Sequence, residues 1–105
     1  MSETELLQRT LLALGSHPDC RVWRNNTGRL PDPRNGRWIS FGLKGSADIL
    51  GIIKGGRFLA IETKTPTGRL RPEQVAFRTM VTAMGGLYVL ARSTDDAISA
   101  VEGGV

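Results

Sequence analysis

Gly45-Ser46-Ala47-Asp48-Ile49-Leu50-Gly51-Ile52-Ile53, then Lys54-Gly55-Gly56, then Arg57-Phe58-Leu59-Ala60-Ile61-Glu62-Thr63-Lys64, is the stretch whose reading decides the fold. Ala47 to Ile53 is apolar on both faces after Asp48, the pattern of a central strand covered on both sides. Gly55-Gly56 turns the chain, and Arg57 to Lys64 reads as the partner strand. Side chains alternate faces along a strand, so Glu62 and Lys64 share a face with Phe58 and Ala60. A carboxylate and an ammonium thus end an apolar face, where charge is costly unless paired or metal-bound. Asp48 and Glu62 are separated by thirteen residues. For them to face each other across an antiparallel hairpin, opposed positions must add to an even number, 110 for this pair. A two-residue Gly55-Gly56 turn would pair Lys54 with Arg57, add to 111, and put the two carboxylates on opposite faces. The sequence therefore predicts a three- or five-residue loop, or a bulge, with Gly55 or Gly56 at positive φ.

Working outward, Glu3 to Leu14 reads as a helix, with Leu7, Leu11 and Leu14 on one face and Gly15 and Pro18 ending it. Cys20 to Arg24 alternates as a strand, Asn25-Asn26-Thr27-Gly28 breaks it, and Pro31 to Gly36 reads as a polar loop. Arg37 to Phe41 is a second strand candidate. On the far side, Thr65 to Arg71 is a loop, and Pro72 opens a helix to about Met84 that Gly85-Gly86 ends. Leu87 to Arg92 is a last core strand, and Ser93 caps a short helix from Asp95 to about Val101. The expected fold class is α/β, one domain over residues 1–105, with the core order α-β-β-β-α-β-α on a mixed sheet.

Composition narrows the function classes. The chain is 40% hydrophobic and 23% charged, ordinary for a globular protein, and no apolar run approaches the length of a membrane span. The acidic start, Met1 to Glu5, lacks the order of a secretory signal, so a cytoplasmic setting and no membrane partner are expected. One cysteine, Cys20, excludes an internal disulfide and a cysteine-based zinc site. Between Arg21 and Lys44 stand six cations, Arg21, Arg24, Arg29, Arg34, Arg37 and Lys44, against Asp32 alone. Such a stripe suits a polyanion such as nucleic acid, though many basic stretches are only a solvated face.

Two carboxylates on adjacent strands, Asp48 and Glu62, with the Thr63 main-chain carbonyl between them, make an oxygen-rich set suited to Mg²⁺, with Mn²⁺ as a substitute. Lys64 stands where it would orient a water and offset charge on phosphorus. The plainer reading of the same residues is a strand-end ion pair, with Asp48 capping a turn. An E-x-K triplet alone has no specificity; an Asp opening one buried strand of a hairpin that E-x-K closes is far rarer. Trp23 and Trp38 read as core or sheet-face residues, and His17 carries no role.

Asp48 followed by Glu62-Thr63-Lys64 resembles the signature of the PD-(D/E)XK nucleases. Trp23-Arg24-Asn25-Asn26-Thr27-Gly28, Gly45 to Ile49 and Phe58 to Gly68 are similar to the VRR-NUC family within them, and the likeness runs from Glu3 to about Ala100. Two positions depart from the pattern: Ala47 replaces a proline before Asp48, and Arg71 stands where a serine or threonine helix cap is usual. The resemblance implies a PD-(D/E)XK nuclease-like core and a metal-dependent, structure-specific DNA endonuclease of a bacterial or phage-infected cell, acting in repair or recombination on branched or Holliday-junction-like DNA as a homodimer. It also implies a glutamate on the first helix, here Glu3 with Glu5 as the alternative, and a glutamine, Gln74, on the helix after the E-x-K strand. The implied catalytic set is Asp48, Glu62, Lys64, Glu3 and Gln74, and the metal set Asp48, Glu62, Glu3 and the Thr63 carbonyl. Arg24, Asn26, Lys44, Ser46, Arg69 and Arg71 are the candidate DNA contacts. The rival reading is a non-catalytic nucleic-acid-binding module with the same fold.

Overall fold

Ser2 starts the first helix: its hydroxyl accepts the Glu5 N–H at 3.1 Å, satisfying one donor that a helix start leaves free. In the computed structural model, which describes residues 1–105, this helix, α1, spans Glu3–Gly15 and buries Leu6, Leu7, Thr10 and Leu14. The strands β1 (Cys20–Arg24), β2 (Gly28–Pro31), β3 (Trp38–Phe41), β4 (Ile49–Ile53) and β5 (Arg57–Thr63) follow. Helix α2 (Pro72–Ala83), strand β6 (Leu87–Ala91) and helix α3 (Thr94–Gly104) complete the chain. No helix is long and apolar enough to cross a membrane.

Four strands form one sheet in the order β1-β4-β5-β6. The pairs β1-β4 and β4-β5 are antiparallel, while β5 and β6 run parallel. A parallel pair needs a crossover, and α2 supplies it. The strands β2 and β3 pair only with each other. Apart from that hairpin, the elements follow one another along the chain as α-β-β-β-α-β-α, and the sheet is mixed, as expected.

The hairpin is where the local reading fails. Gly28, read as the end of a break, and Pro31, read as the start of a loop, bound a strand, β2, and Trp38–Phe41 folds back onto it rather than joining the main sheet. Pro31 is tolerated because β2 is an edge strand. Helix α3 also continues to Gly104, past the expected end near Val101.

Helices α1 and α3 lie side by side on one sheet face, over Ile49, Ile53, Leu59 and Ile61. Helix α2 covers the other face, packing Phe77 and Val81 on Ala47 and Ala60. One helix about 10 Å wide cannot cover four strands spaced about 4.8 Å apart. Trp23 on β1 and Phe58 on β5 consequently stay 52% and 41% exposed on that face.

The β4-β5 register fixes the site. Ile49 opposes Ile61 and Ile53 opposes Arg57, leaving a three-residue loop, Lys54–Gly56, with Gly55 at φ 100° and Gly56 at φ 93°. Continued by one residue, this register sets Asp48 opposite Glu62. The three-residue loop is one of the alternatives the parity argument demands.

Candidate active site

Asp48 sits just ahead of β4, where the ladder changes hands. The Ala47 carbonyl accepts from Asn25 Nδ2 at 2.9 Å instead of serving β5. Asp48 Oδ2 instead receives the Thr63 N–H at 3.1 Å and the Thr63 hydroxyl at 2.9 Å. The Asp48 carboxylate is thus held by two donors from the strand that carries Glu62. N–H and C=O of one strand residue project to the same side, so the Thr63 carbonyl also points along the Asp48 edge.

Glu62 is 3% exposed, at the end of the face that α2 covers. Its Oε2 accepts from Gln74 Nε2 at 3.3 Å and lies 3.9 Å from Lys64 Nζ. Its Oε1 is buried and has no hydrogen-bond partner. Burial above all, and then the Asp48 carboxylate, push the Glu62 carboxyl from its ordinary 4.5 up to about 8, with Lys64 opposing too weakly to reverse the shift.

Gln74 works in two directions. Its Oε1 accepts the Arg71 N–H at 2.8 Å and closes the start of α2, while its Nε2 faces Glu62. The helix therefore begins at Pro72 as expected, with glutamine supplying what the Arg71 side chain does not. Gly45 lets the chain press against α2 at Glu73, because a Cβ there would collide with the Glu73 carbonyl. That close approach carries Ser46-Ala47-Asp48 to the helix start.

Other predicted residues are not drawn in. Glu3, expected on the buried stripe of α1, is exposed, as is Glu5. Side chains of a first helical turn tilt back past the helix start instead of down onto the sheet. No three His, Cys, Asp or Glu side chains come together closely enough to hold a metal, so the carboxylates that converge are Asp48 and Glu62 alone. Arg24, Asn26, Lys44 and Arg69 are exposed, and Arg71 pairs with Glu73 at 3.3 Å near the surface. Ser46 is a fastening residue, its Oγ accepting from Asn25 Nδ2 at 2.7 Å.

Three residues near the site escape the sequence reading. Asn25, not Asn26, ties the end of β1 to Ser46 and Ala47, and its N–H donates to the Asp48 carbonyl at 2.8 Å. Tyr88 of β6 buries a hydroxyl with no partner, its ring edge-on to Phe77 at 6.2 Å. Burial and then the Glu62 charge push its pKa up. Arg92 Nη1 donates to the carbonyls of Thr65, Pro66 and Gly68 at 2.6, 3.2 and 2.8 Å, pinning the loop that leaves Lys64. An asparagine in a turn-rich run signals a fold-back, but nothing local singles out Tyr88 or Arg92.

A scan of models of known protein families and a search of curated proteins give no match to this chain.

Two carboxylates, one with an oxygen left unpartnered, and a main-chain carbonyl on their edge are hard oxygen donors. That donor set fits Mg²⁺ or Mn²⁺, which commonly take one or two protein carboxylates and complete the shell with water and phosphate oxygens. Lys64 supplies a half-buried cation beside them, its side chain 12% exposed.

Proposed function

We propose that this chain is a divalent-metal-dependent nuclease that hydrolyses DNA phosphodiester bonds at the Asp48–Glu62–Lys64 cluster. One observation carries the reading: two carboxylates from adjacent strands meet at the end of an apolar face, and the buried Glu62 Oε1 is left without a partner. A purely structural ion pair would satisfy both oxygens, because a buried unpaired acceptor costs about 1–3 kcal/mol. The resemblance of Asp48 and Glu62-Thr63-Lys64 to the PD-(D/E)XK signature, and of the wider chain to VRR-NUC proteins, supports the same conclusion.

Asp48, Glu62 and the Thr63 carbonyl would hold the ion. When bound, a divalent ion supplies Lewis acidity, neutralising phosphate charge and lowering the pKa of a water. The rest belongs to the chain. Thr63 fixes the Asp48 carboxylate through two donors, and Gln74 fixes Glu62 through one. The Lys64 ammonium offsets the negative charge that grows on the phosphorus oxygens and orients the attacking water. Arg92 holds the loop after Lys64, and so the lysine's direction of approach.

The test is incubation of the protein with linear, flapped and four-way DNA, with Mg²⁺ and with chelator. Cleavage that needs the ion and is lost in Asp48→Ala and Glu62→Ala is expected. Cleavage by either variant at the wild-type rate removes the assignment, and binding without cleavage on every substrate leaves a non-catalytic module. One centre cannot place two opposed cuts, so symmetric substrates call for a two-fold dimer, whose interface should bury at least about 1,000 Å². Light scattering that gives a monomer at micromolar concentration, free and with DNA, would leave a single-strand nicking enzyme.

A further inference from the structure

The β2-β3 hairpin accounts for nothing in the site just described, and its construction is unusual. Every residue of the two strands except Gly28 is exposed, including Leu30 at 58%, Trp38 at 62%, Ile39 at 45% and Phe41 at 41%. It makes only marginal contact with the other elements. The chain is drawn out accordingly, with a longest extent of 47 Å against 31 and 26 Å. Its radius of gyration is 14.6 Å, where a compact domain of this length would have about 13 Å. An isolated two-stranded ribbon is at best marginally stable in water, so a ribbon bare on both faces completes its packing against something else.

Charge says what. Residues 28–44 hold Arg29, Arg34, Arg37 and Lys44 against Asp32, four of the chain's 14 Lys and Arg but one of its 10 Asp and Glu. The rest of the chain is close to neutral. The Asp32 charge is spent inside the ribbon tip, where its carboxylate takes the Arg34 N–H at 2.9 Å and the Arg34 guanidinium at 3.0 Å. Arg29, Arg37 and Lys44 make no ion pair. The Arg29 guanidinium lies over the Trp38 ring at 5.4 Å, which holds it extended along one face. By strand alternation Arg37 projects from the other face, beside Ile39.

We infer that this ribbon lies in the major groove of duplex DNA and holds the duplex against the Asp48–Glu62 edge. Its strands are about 5 Å apart, so with side chains it suits the roughly 12 Å major groove of B-DNA. It is too wide for the minor groove and for the deep, narrow major groove of an RNA duplex. Cations on both faces then meet phosphates on both groove walls. The root of the ribbon is tied to the site: Asn25 bonds across its two ends to Ser46 and Ala47, and its N–H reaches the Asp48 carbonyl. The inference rests on the nuclease reading for the position of the scissile strand, not for the binding itself.

Binding is therefore measured in chelator, where no cleavage occurs, by fluorescence anisotropy of a labelled DNA duplex, the single strand of the same sequence, and an RNA duplex. The double variant Arg29→Ala/Arg37→Ala changes two exposed side chains, and an unchanged melting temperature shows that it folds. Its affinity for the DNA duplex should fall at least about tenfold, with the log–log salt slope reduced by about 2, while single-strand binding changes little. Wild type should prefer the DNA duplex to the RNA duplex. Equal losses on duplex and single strand, or no loss, would overturn the ribbon's role. A dimer that Ile39→Asp converts to monomer, with duplex binding intact, would overturn it in favour of a second copy. A variant that cuts DNA while binding it normally removes the ribbon and keeps the nuclease; wild type that binds the duplex through the ribbon but never cuts does the reverse.

Discussion

Asp48 stands directly across from Glu62 because three residues, Lys54–Gly56, turn β4 into β5. With Ile53 opposite Arg57, side chains at equal distances from the loop share a face, and the two acids come out on the face of α2. Gly55 and Gly56 hold φ values of 100° and 93°, a region that L side chains rarely adopt. The meeting of the two acids therefore depends on the backbone freedom of two residues far down the hairpin.

Gly55→Ala and Gly56→Ala should each lower stability by about 1–2 kcal/mol, the cost of left-handed backbone at a residue with a Cβ. Urea denaturation reads this directly. Neither alanine meets another atom within 4 Å at these positions, so a loss reports backbone strain and not collision. Wild-type stability in both variants would mean a loop of another conformation, and with it another register.

The Glu62 carboxyl gives a pH dependence with a definite sign. Its pKa is about 8 in the fold against an ordinary 4.5, so between those values the folded chain binds more protons than the unfolded one. Stability from this group is complete below about pH 4.5 and is lost as pH rises through 8. Glu62→Gln should flatten that fall, making the variant more stable than wild type at pH 9 in the absence of metal. A divalent ion competes with the same proton, so Mg²⁺ affinity should climb with pH to about 8 and release a proton on binding. Calorimetry in two buffers of different ionisation enthalpy measures that proton, and binding without proton release would contradict the shift.

How far the sequence carried this picture can be seen residue by residue. The β4-β5 hairpin was legible because apolar runs bounded by Gly-Gly have a parity, and parity decides whether two acids meet. The helices were legible from leucine spacing, Pro72 and the Ser93 cap. The ribbon was not: Gly28 and Pro31 are breaker residues, and β2 exists only because a tight tip, with the Asp32 N–H bonded to the Arg37 carbonyl at 2.6 Å, returns a second strand to it. Tyr88 was hidden because the register of a parallel pair is set through the whole crossover helix, so no local pattern shows that it nears Glu62. Glu3 illustrates the opposite error. Helical spacing assigned it a face, but at the first position of α1 the side chain tilts back past the helix start and stays exposed.

Gln74 links helix start to site, so its loss should be felt at both. Gln74→Ala removes the acceptor of the Arg71 N–H and the hydrogen-bond donor to the buried Glu62 Oε2, the second at about 1–3 kcal/mol. Because the amide donates to the charged form of Glu62, its removal should also raise the Glu62 pKa further. NMR titration of the Glu62 side chain, with urea denaturation beside it, separates the two effects. A stability loss with no change in titration would confine Gln74 to capping α2.

Lys64 offers the sharpest division between chemistry and binding. Its ammonium is 3.9 Å from Glu62 Oε2 on a side chain only 12% exposed, so it faces the carboxylates more than the solvent. Lys64→Met keeps the apolar stem and removes the charge. If the ammonium acts as phosphorus becomes more negative, kcat should drop by about 10²–10³. DNA affinity measured in chelator should change little, and the salt slope of binding should stay as in wild type. A simple phosphate contact behaves otherwise: affinity and rate fall together, and the slope drops by about 1. The variant carries an internal control, because Lys64 is the cation that pulls the Glu62 pKa down. In Lys64→Met that pKa should rise, so raising the assay pH should recover some metal binding but not the lost turnover. Full recovery of turnover at high pH would reduce Lys64 to a counter-ion for Glu62 and take it out of the reaction.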